Sequence, residues 1–194
     1  LELALSHAHP GPAIDSVPTP FTRLTDDLVG GEVDTVVTFG GSAHPQVAST
    51  ELSQIHRVGM VAAVHPLASR ASVDVLEFAR YPMVYSADLP AEYMHPFVLA
   101  DVRPLDEATL VHIDASNTAH VAQRILRGRE VTVVPLALTS NLPPELRRIE
   151  LRNVPPTWYH AHRRVGDDRP ELLTAIDLMA DFTESITRAA LPRR

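Results

Sequence analysis

Short runs that are largely apolar alternate with helix-like stretches along this chain, and this alternation limits the folds open to it. Three such runs lie at residues 33–39, 58–64 and 131–134. A run without polar alternation is typical of a strand buried on both faces, as in a parallel sheet covered by helices. Strands that alternate with helices therefore predict an α/β fold built on parallel sheets.

A helix is predicted over residues 19–30 because both of its ends carry recognisable signals. Thr19 is a favourable N-cap residue, and Pro20 suits the first helical position. Gly30 and Gly31 end the helix, since glycine adopts the left-handed conformation at a C-cap.

Two further helices follow from similar signals. One is predicted over residues 116–127 and ends at Gly128. The last runs from about 168 to 189, with Asp168 as its N-cap and Glu171 completing a capping box.

The remaining pattern is less regular. It predicts strands at 1–6, 82–85, 110–113, 148–151 and 157–162, a short helix at 73–79 and a long polar loop at 40–54. Residues 90–99 are compatible with a helix, and the sequence leaves their structure open.

The charge, the lack of cysteine and the lack of long apolar runs exclude several classes of function. The 194 residues carry 17 basic and 24 acidic side chains, a net charge of −7, which argues against a nucleic-acid surface on this chain. The chain has no cysteine, so disulfides, thiolate metal sites and thiol redox sensing are excluded for it. It shows no apolar run long enough for a membrane span and no signal-peptide pattern, so we expect a cytoplasmic protein without membrane contact.

Several motifs occur in a characteristic order. Leu28 is followed by Gly31-Glu32-Val33-Asp34 and a strand, and a later strand ends in His65-Pro66-Leu67-Ala68. Residues 116–135 then read as helix, glycine turn, strand and proline. In this order the chain resembles the effector-binding domain of LysR-type transcriptional regulators over nearly its whole length. It departs from the family at Gly128-Arg129-Glu130, where relatives usually have Gly-x-Gly.

The resemblance implies two Rossmann-like lobes joined by crossover strands, similar to type II periplasmic binding proteins. Lobe I would comprise residues 1–62 plus 149–194, and lobe II residues 63–148. The family's opening strand and helix, and its winged helix-turn-helix, are expected to lie outside this chain. DNA would be bound only through that absent N-terminal domain.

Ligands of such folds bind beyond the carboxyl ends of strands, where helix N-termini favour anions. The strand ends predict an effector site for a small molecule, with a carboxylate as one candidate. Its candidate residues are His7, Thr38, Phe39, Gly40, Tyr85, Ser86, Ser116, Asn117 and Thr118. Each has a plainer interpretation: Ser116 as a helix cap, Gly40 as a turn residue and Tyr85 as a core side chain.

The resemblance also implies a homodimer or tetramer. The helices at 19–30 and 116–127 are the candidates for the dimer contact, with Leu24, Leu28, Val121 and Ile125 either there or in the core. The mechanism would be a population shift, in which the ligand favours one closure of the lobes.

Two other functions remain open. A solute-binding protein of a transporter would have the same fold, and an enzyme on this scaffold would need a catalytic constellation in the cleft. The chain shows no Gly-x-Ser-x-Gly, P-loop or Gly-x-Gly-x-x-Gly motif. The histidine pairs His7/His9 and His160/His162 lack the third and fourth ligands that zinc needs, so we expect no metal, no cofactor and no catalytic residue. We expect His160 and His162 to share one exposed strand face, and His65 to serve the lobe junction.

Overall fold

The computed structural model describes residues 14–113 and 118–190. Its strands, in chain order, are β1 (Val36–Phe39), β2 (Val47–Ile55), β3 (Arg57–Ala62), β4 (Ser72–Asp74), β5 (Met83–Tyr85), β6 (Leu110–His112), β7 (Thr132–Pro135), β8 (Leu146–Arg152) and β9 (Thr157–Arg164). Its α-helices are α1 (Leu24–Gly30), α2 (Val75–Phe78), α3 (Ala91–Met94), α4 (Thr118–Ile125) and α5 (Pro170–Ala190). Short 3₁₀ turns lie between several of these elements.

The described strands form three sheets, ordered β1-β9-β2, β4-β8-β3-β7 and β5-β6. Only β4–β8 and β5–β6 pair in parallel within these sheets, and the other pairs are antiparallel. The expectation of parallel sheets was therefore wrong for most of the described pairs. Apolar runs report burial on both faces, and they do not report strand direction.

The β1-β9-β2 sheet is covered on both faces. Ala161 packs with Leu172 and Ile176 of α5 on one face. Its neighbours His160 and His162 turn to the other face, because side chains alternate along a strand. There Val36 lies opposite His162, and Thr38 lies opposite His160.

The larger core surrounds the β4-β8-β3-β7 sheet. Phe78 of α2 is fully buried against it, and the apolar residues of β3, β4 and β8 pack around its ring. A Cβ atom on Gly59 would lie only 2.5 Å from Cε2 of Phe78. Glycine at this point of β3 therefore lets the ring lie flat on the strand.

The strand β2 was missed by the sequence analysis, which predicted a polar loop at 40–54. Its side chains alternate little in polarity, and most of those from Val47 to Glu51 are exposed or half-buried. Backbone pairing with β9 fixes this strand, from Val47 opposite Arg164 to Ile55 opposite Thr157. A strand formed by pairing, with little apolar burial, carries no hydrophobic pattern in the sequence.

The first helix is shorter than predicted. A 3₁₀ turn at Phe21–Arg23 precedes α1, and the hydroxyl of Thr19 donates to the Val17 carbonyl, so Thr19 caps no helical N–H that the structure shows. The C-terminal prediction is confirmed. Gly31 has φ of +83° and donates its N–H to the Leu28 carbonyl.

The last helix also begins later than predicted. It starts at Pro170, and the Arg169 carbonyl accepts the N–H groups of Leu172 and Leu173. Asp168 instead lies 3.0 Å from Arg163 as an ion pair. The prediction of Asp168 as N-cap was wrong, because Pro170 takes the first helical position and Arg169 precedes it as the N-cap.

The structure also differs from the predicted helix at 73–79, and it resolves residues 90–99, whose structure the sequence left open. Residues 72–74 form β4 beside β8, and Asp74 then caps the single turn of α2 by accepting the Leu76 N–H. Residues 91–97 divide into α3 and a 3₁₀ turn that contains Pro96. The predicted strand at 1–6 lies outside the described residues, as do the first two residues of the helix predicted at 116.

Candidate functional site

Thr38 and His162 form the centre of a buried polar group on the β1-β9-β2 sheet. Thr38 Oγ1 lies 2.6 Å from His162 Nε2, and Ser49 Oγ on β2 lies 2.9 Å from His162 Nδ1. Thr38 is 2% exposed and His162 is 0% exposed. The imidazole thus joins all three strands of this sheet through its two nitrogens.

The donors and acceptors around this imidazole determine which of its nitrogens carries the proton. The Thr38 hydroxyl donates to the Gly40 carbonyl at 3.2 Å, so its oxygen is left to accept from His162 Nε2. A neutral imidazole then has Nδ1 free to accept from the Ser49 hydroxyl. Ser49 Oγ in turn accepts the Ser42 N–H at 3.1 Å. The partners therefore assign the proton to Nε2.

Burial keeps this imidazole neutral. Desolvation lowers the pKa of His162 to about 4, and the neighbouring His160 acts in the same direction. The two rings stack with an interplanar angle of 8° and centroids 6.2 Å apart. The site consequently offers neutral hydroxyl and imidazole groups at neutral pH.

His160 marks the edge of this polar group. Its Nδ1 lies 3.2 Å from the Trp158 carbonyl, and its Nε2 lies 4.0 Å from Glu51. The predicted exposed strand face for His160 and His162 was wrong. Helix α1 and Tyr93 cover that face of the sheet. The sequence alone does not indicate that these two elements pack there.

The next residues of β1 close the same end of the sheet. Phe39 meets Phe97 edge to face at 4.8 Å, and it also lies 5.5 Å from the ring of Tyr159. Gly40 has φ of +86°, and its N–H donates to the Trp158 carbonyl. Thr38 faces the polar group, whereas Phe39, opposite Tyr159, turns to the other face of the strand and packs against the larger core.

Of the other predicted effector residues, the structure describes the side chains of Tyr85 and Ser86. Tyr85 ends β5 and is half-buried, while Ser86 is 2% exposed and accepts the Asp88 N–H at 3.4 Å. His7, Ser116 and Asn117 lie outside the described residues. Thr118 begins α4, and its side chain is not described.

The four residues predicted at a dimer contact are used within the protomer. Leu24 and Leu28 pack with Val36 and Tyr93, and Ile125, with Val121 against it, packs around Met60. Leu28 is 1% exposed and Ile125 is 0% exposed, so a partner could not reach these two side chains. The dimer contact itself stays a prediction.

Sequence reasoning missed His162, Ser49 and Tyr93 as members of the site. His162 was noted only as half of a histidine pair, and Ser49 fell in the predicted loop. The register of β2 on β9 places Ser49 opposite His162, and no local signal in the sequence specifies that register. Nothing in the sequence brings Tyr93 to this face.

Arg57 at the start of β3 ties separate segments together. It binds Asp101 at 2.5 Å, the Pro155 carbonyl at 2.6 Å and the Pro96 carbonyl, with its side chain fully buried. His65 accepts the Leu67 N–H through Nδ1, and burial lowers its pKa. Arg57 thereby holds the segment that carries Tyr93 and Phe97, whereas the hydrogen bond of His65 is local, to the 3₁₀ turn that follows it.

An open cavity of about 240 Å³ lies beside α4, lined by Ile113, His120, Gln123, Arg124 and Arg127. It does not include the predicted effector residues. Across the two described ranges, no group of three or more metal-ligating side chains comes together. No helix in those ranges is long and apolar enough to cross a membrane.

Comparison with known proteins gives the class to which this fold and site belong. The model of the LysR substrate binding domain matches residues 3–183. The chain therefore belongs to the LysR substrate-binding domain family, the α/β effector-binding domains with a type II periplasmic-binding-protein-like fold. The predicted family and fold class are confirmed, and the solute-binding alternative is not favoured. No curated protein sequence matches the chain.

Solved structures show the same fold. A cysteine mutant of OxyR from Corynebacterium glutamicum matches with a TM-score of 0.76 at 17% identity, over 97% of this chain and 61% of that one. A variant of the BenM effector binding domain matches with a TM-score of 0.72 at 16% identity, over 94% of this chain and 88% of that one. A full-length cysteine mutant of OxyR from Pseudomonas aeruginosa matches with a TM-score of 0.63 at 19% identity, over 81% of this chain. The match covers 55% of the length of that OxyR chain.

Proposed function

We propose that this chain is the ligand-sensing part of a LysR-type transcriptional regulator that binds a small molecule between two lobes. The observation that carries the proposal is the family match over residues 3–183. The lobes would comprise residues 1–62 plus 149–194 and residues 63–148. In this division β3 and β8 are the crossovers, and their pairing side by side from Val58–Glu150 to Ala62–Leu146 supports it.

The proposed effector site includes Thr38, Phe39 and Gly40 from one lobe and Tyr85 and Ser86 from the other. His162 and Ser49 add hydrogen-bonding groups that the sequence did not indicate. The site would extend to His7, Ser116, Asn117 and Thr118, as the strand ends suggest. Its mechanism is differential binding, since a ligand shifts a conformational equilibrium only by favouring one state.

The wider protein would act as a homodimer or tetramer in the cytoplasm, with DNA bound through a separate winged helix-turn-helix. The exposed faces of the two candidate helices support a contact between them. Asp26 is exposed on α1, and Arg127 is exposed just after α4. An acidic side chain on one face and a basic side chain on the other favour contact between the two helices. The family is one of regulators, so we propose no enzymatic activity.

A thermal-shift screen tests the ligand-sensing proposal. The probes are benzoate, salicylate, p-cresol, succinate and the amino acids, because a ligand that binds only the folded state raises the melting temperature. We expect one of them to give a dose-dependent rise that Thr38→Val abolishes. Thr50→Val is the matched control, since Thr50 is exposed on the opposite face of β2. An equal rise in both variants would place the ligand elsewhere.

A further inference from the structure

Residues 90–97 comprise α3 and the following 3₁₀ turn. They belong by sequence to one proposed lobe and pack against the other. They follow β5 in sequence, in the proposed lobe II. Yet Tyr93 is 3% exposed and packs with Leu24, Leu28 and Val36 of the proposed lobe I. We call these residues the 90–97 segment.

The segment lies directly over the polar group on β9. The ring of Tyr93 has its centroid 6.2 Å from that of His162, and Phe97 meets Phe39 at 4.8 Å. The Glu92 carbonyl oxygen would be 3.1 Å from a Cβ atom on Gly40, so glycine permits this close approach. The two rings therefore cover the end of β1 where the effector residues were predicted.

The segment is held mainly by side chains, and its backbone joins no sheet. The amide groups of Tyr93 and Met94 both donate to the Pro90 carbonyl, and Val98 donates to Met94. Elements with only local backbone bonds open at lower cost than paired strands. Detachment of Tyr93 would expose the groups that it now covers without breaking a sheet.

Its C-terminal end has the features of a pivot. Arg57 holds the Pro96 carbonyl at the end of the segment and the Asp101 carboxylate just beyond it, which fixes the chain at this end. Between these anchors Leu99 has φ of +58° although it is fully buried. A positive φ is strained for a bulky residue, and such strain persists only where surrounding contacts impose it.

The space that Tyr93 fills defines what could replace it. Three aliphatic side chains, Leu24, Leu28 and Val36, line the ring, and the neutral His162 lies beside it. An aromatic ring with an uncharged hydroxyl group matches this lining, whereas a carboxylate would lose its hydration there, because none of these four neighbours carries a positive charge.

We propose that Tyr93 acts as an internal substitute for the effector: a phenol-class ligand binds in its place on α1, β1 and His162 and displaces the 90–97 segment. This inference rests on the proposed ligand-sensing function and adds its ligand class and its conformational step. Binding would release the segment from the proposed lobe I and so change the relation of the two lobes.

Hydrogen exchange on the unmodified chain tests the displacement, with p-cresol, the side chain of tyrosine, as the probe. We expect p-cresol to lower the protection of the Tyr93, Met94 and Val98 amides by about tenfold or more, while the β3 amides keep theirs. Unchanged or increased protection in the 90–97 segment at saturating p-cresol would overturn the proposal, as would absence of p-cresol binding.

The variant Tyr93→Ala gives a second readout, because it removes the side chain that competes with the ligand. We expect it to bind p-cresol more tightly than the unmodified chain, since no displacement is needed. Tyr81→Ala, at a half-buried tyrosine beside His65, is the matched control and should bind like the unmodified chain. If Tyr93→Ala binds p-cresol while the unmodified chain shows no opening, Tyr93 is only a core residue and the inference fails.

The outcomes separate this inference from the proposed function. Another compound that stabilises the chain through Thr38 with the 90–97 segment still protected would support the sensor and overturn the displacement. Opening of the segment by p-cresol, without any effect on DNA binding by the full-length protein, would support the site and contradict its regulatory role.

Discussion

Thr38 Oγ1 and His162 Nε2 lie 2.6 Å apart, and both side chains are buried where β1 and β9 pair. The threonine oxygen accepts the Nε2 proton, the threonine hydroxyl donates to the Gly40 carbonyl, and the Gly40 backbone is also hydrogen-bonded to the imidazole. The end of β1 is thus tied to the central strand of its sheet by side chains in addition to the backbone. This relationship makes Thr38 a structural residue as well as an effector candidate.

Thr38→Val tests that relationship because valine keeps the shape and removes the hydroxyl. We expect a loss of about 1–3 kcal/mol in unfolding free energy, since the buried Nε2–H loses its hydroxyl acceptor and the Gly40 carbonyl loses the hydroxyl donor. Urea unfolding followed by circular dichroism measures it. Ser49→Ala is the control and should lose less than about 1 kcal/mol, because Ser49 is exposed and water can replace its hydroxyl. Equal losses in both variants would contradict the assignment.

The pKa of His162 predicts a dependence of stability on pH. Burial lowers that pKa from 6.5 to about 4 in the folded chain. Below pH 6.5 the unfolded chain takes up a proton that the folded chain does not, so stability falls as the pH falls towards 4. The full effect is of the order of 3 kcal/mol.

Urea midpoints between pH 8 and pH 4.5 check this dependence by comparing the unmodified chain with His162→Gln. The difference between the two should change steadily below about pH 6.5. The carboxyl of Asp167, whose pKa is lowered to about 2 by Arg169 and Arg164, is common to both proteins and cancels. A difference that stays constant over this range would show that His162 ionises normally.

Arg57 is expected to be the most sensitive charged residue of the described core. Arg57→Met removes the donors for Asp101 and for the carbonyls of Pro96 and Pro155, and it should cost about 3–5 kcal/mol. Arg70→Met is the control, because the Arg70–Glu77 ion pair is exposed and such pairs contribute little. Thermal unfolding of both variants measures the contrast, and similar melting temperatures would refute it.

Gly59→Ala tests the contact between β3 and α2. The new methyl group would lie 2.5 Å from Phe78 Cε2, so we expect a loss of about 1–3 kcal/mol by overpacking. Phe78→Leu alone should also destabilise the chain, by leaving a cavity. The double variant should then be more stable than the sum of the two losses predicts, and strict additivity would contradict the contact.

The family and several of the elements could be predicted because they depend on local signals. Gly31 ends α1 as predicted, and the apolar runs at β3 and β7 became buried strands. The candidate residues Thr38 to Gly40 were predicted from the end of β1, since a strand end is recognisable in the sequence, and their role in binding stays a prediction. These features require no knowledge of what packs against them.

The rest of the site depends on contacts between distant residues. His162 meets Thr38 across 124 positions of sequence, and Ser49 meets His162 across 113. The strand β2 gains its structure from pairing with β9, and Tyr93 is placed by the fold of a segment without a clear pattern. Such pairings cannot be derived from local propensity, because many alternative pairings fit the same sequence.

The most direct measurement of the central claim is a calorimetric titration of the chain with the compound that gives the largest thermal shift. The account predicts saturable binding that Thr38→Val weakens at least about tenfold and Thr50→Val leaves unchanged. Saturable binding that is equal in all three proteins would contradict the proposed cleft. Absence of binding across the whole panel would contradict the proposal that this chain senses a ligand of these classes.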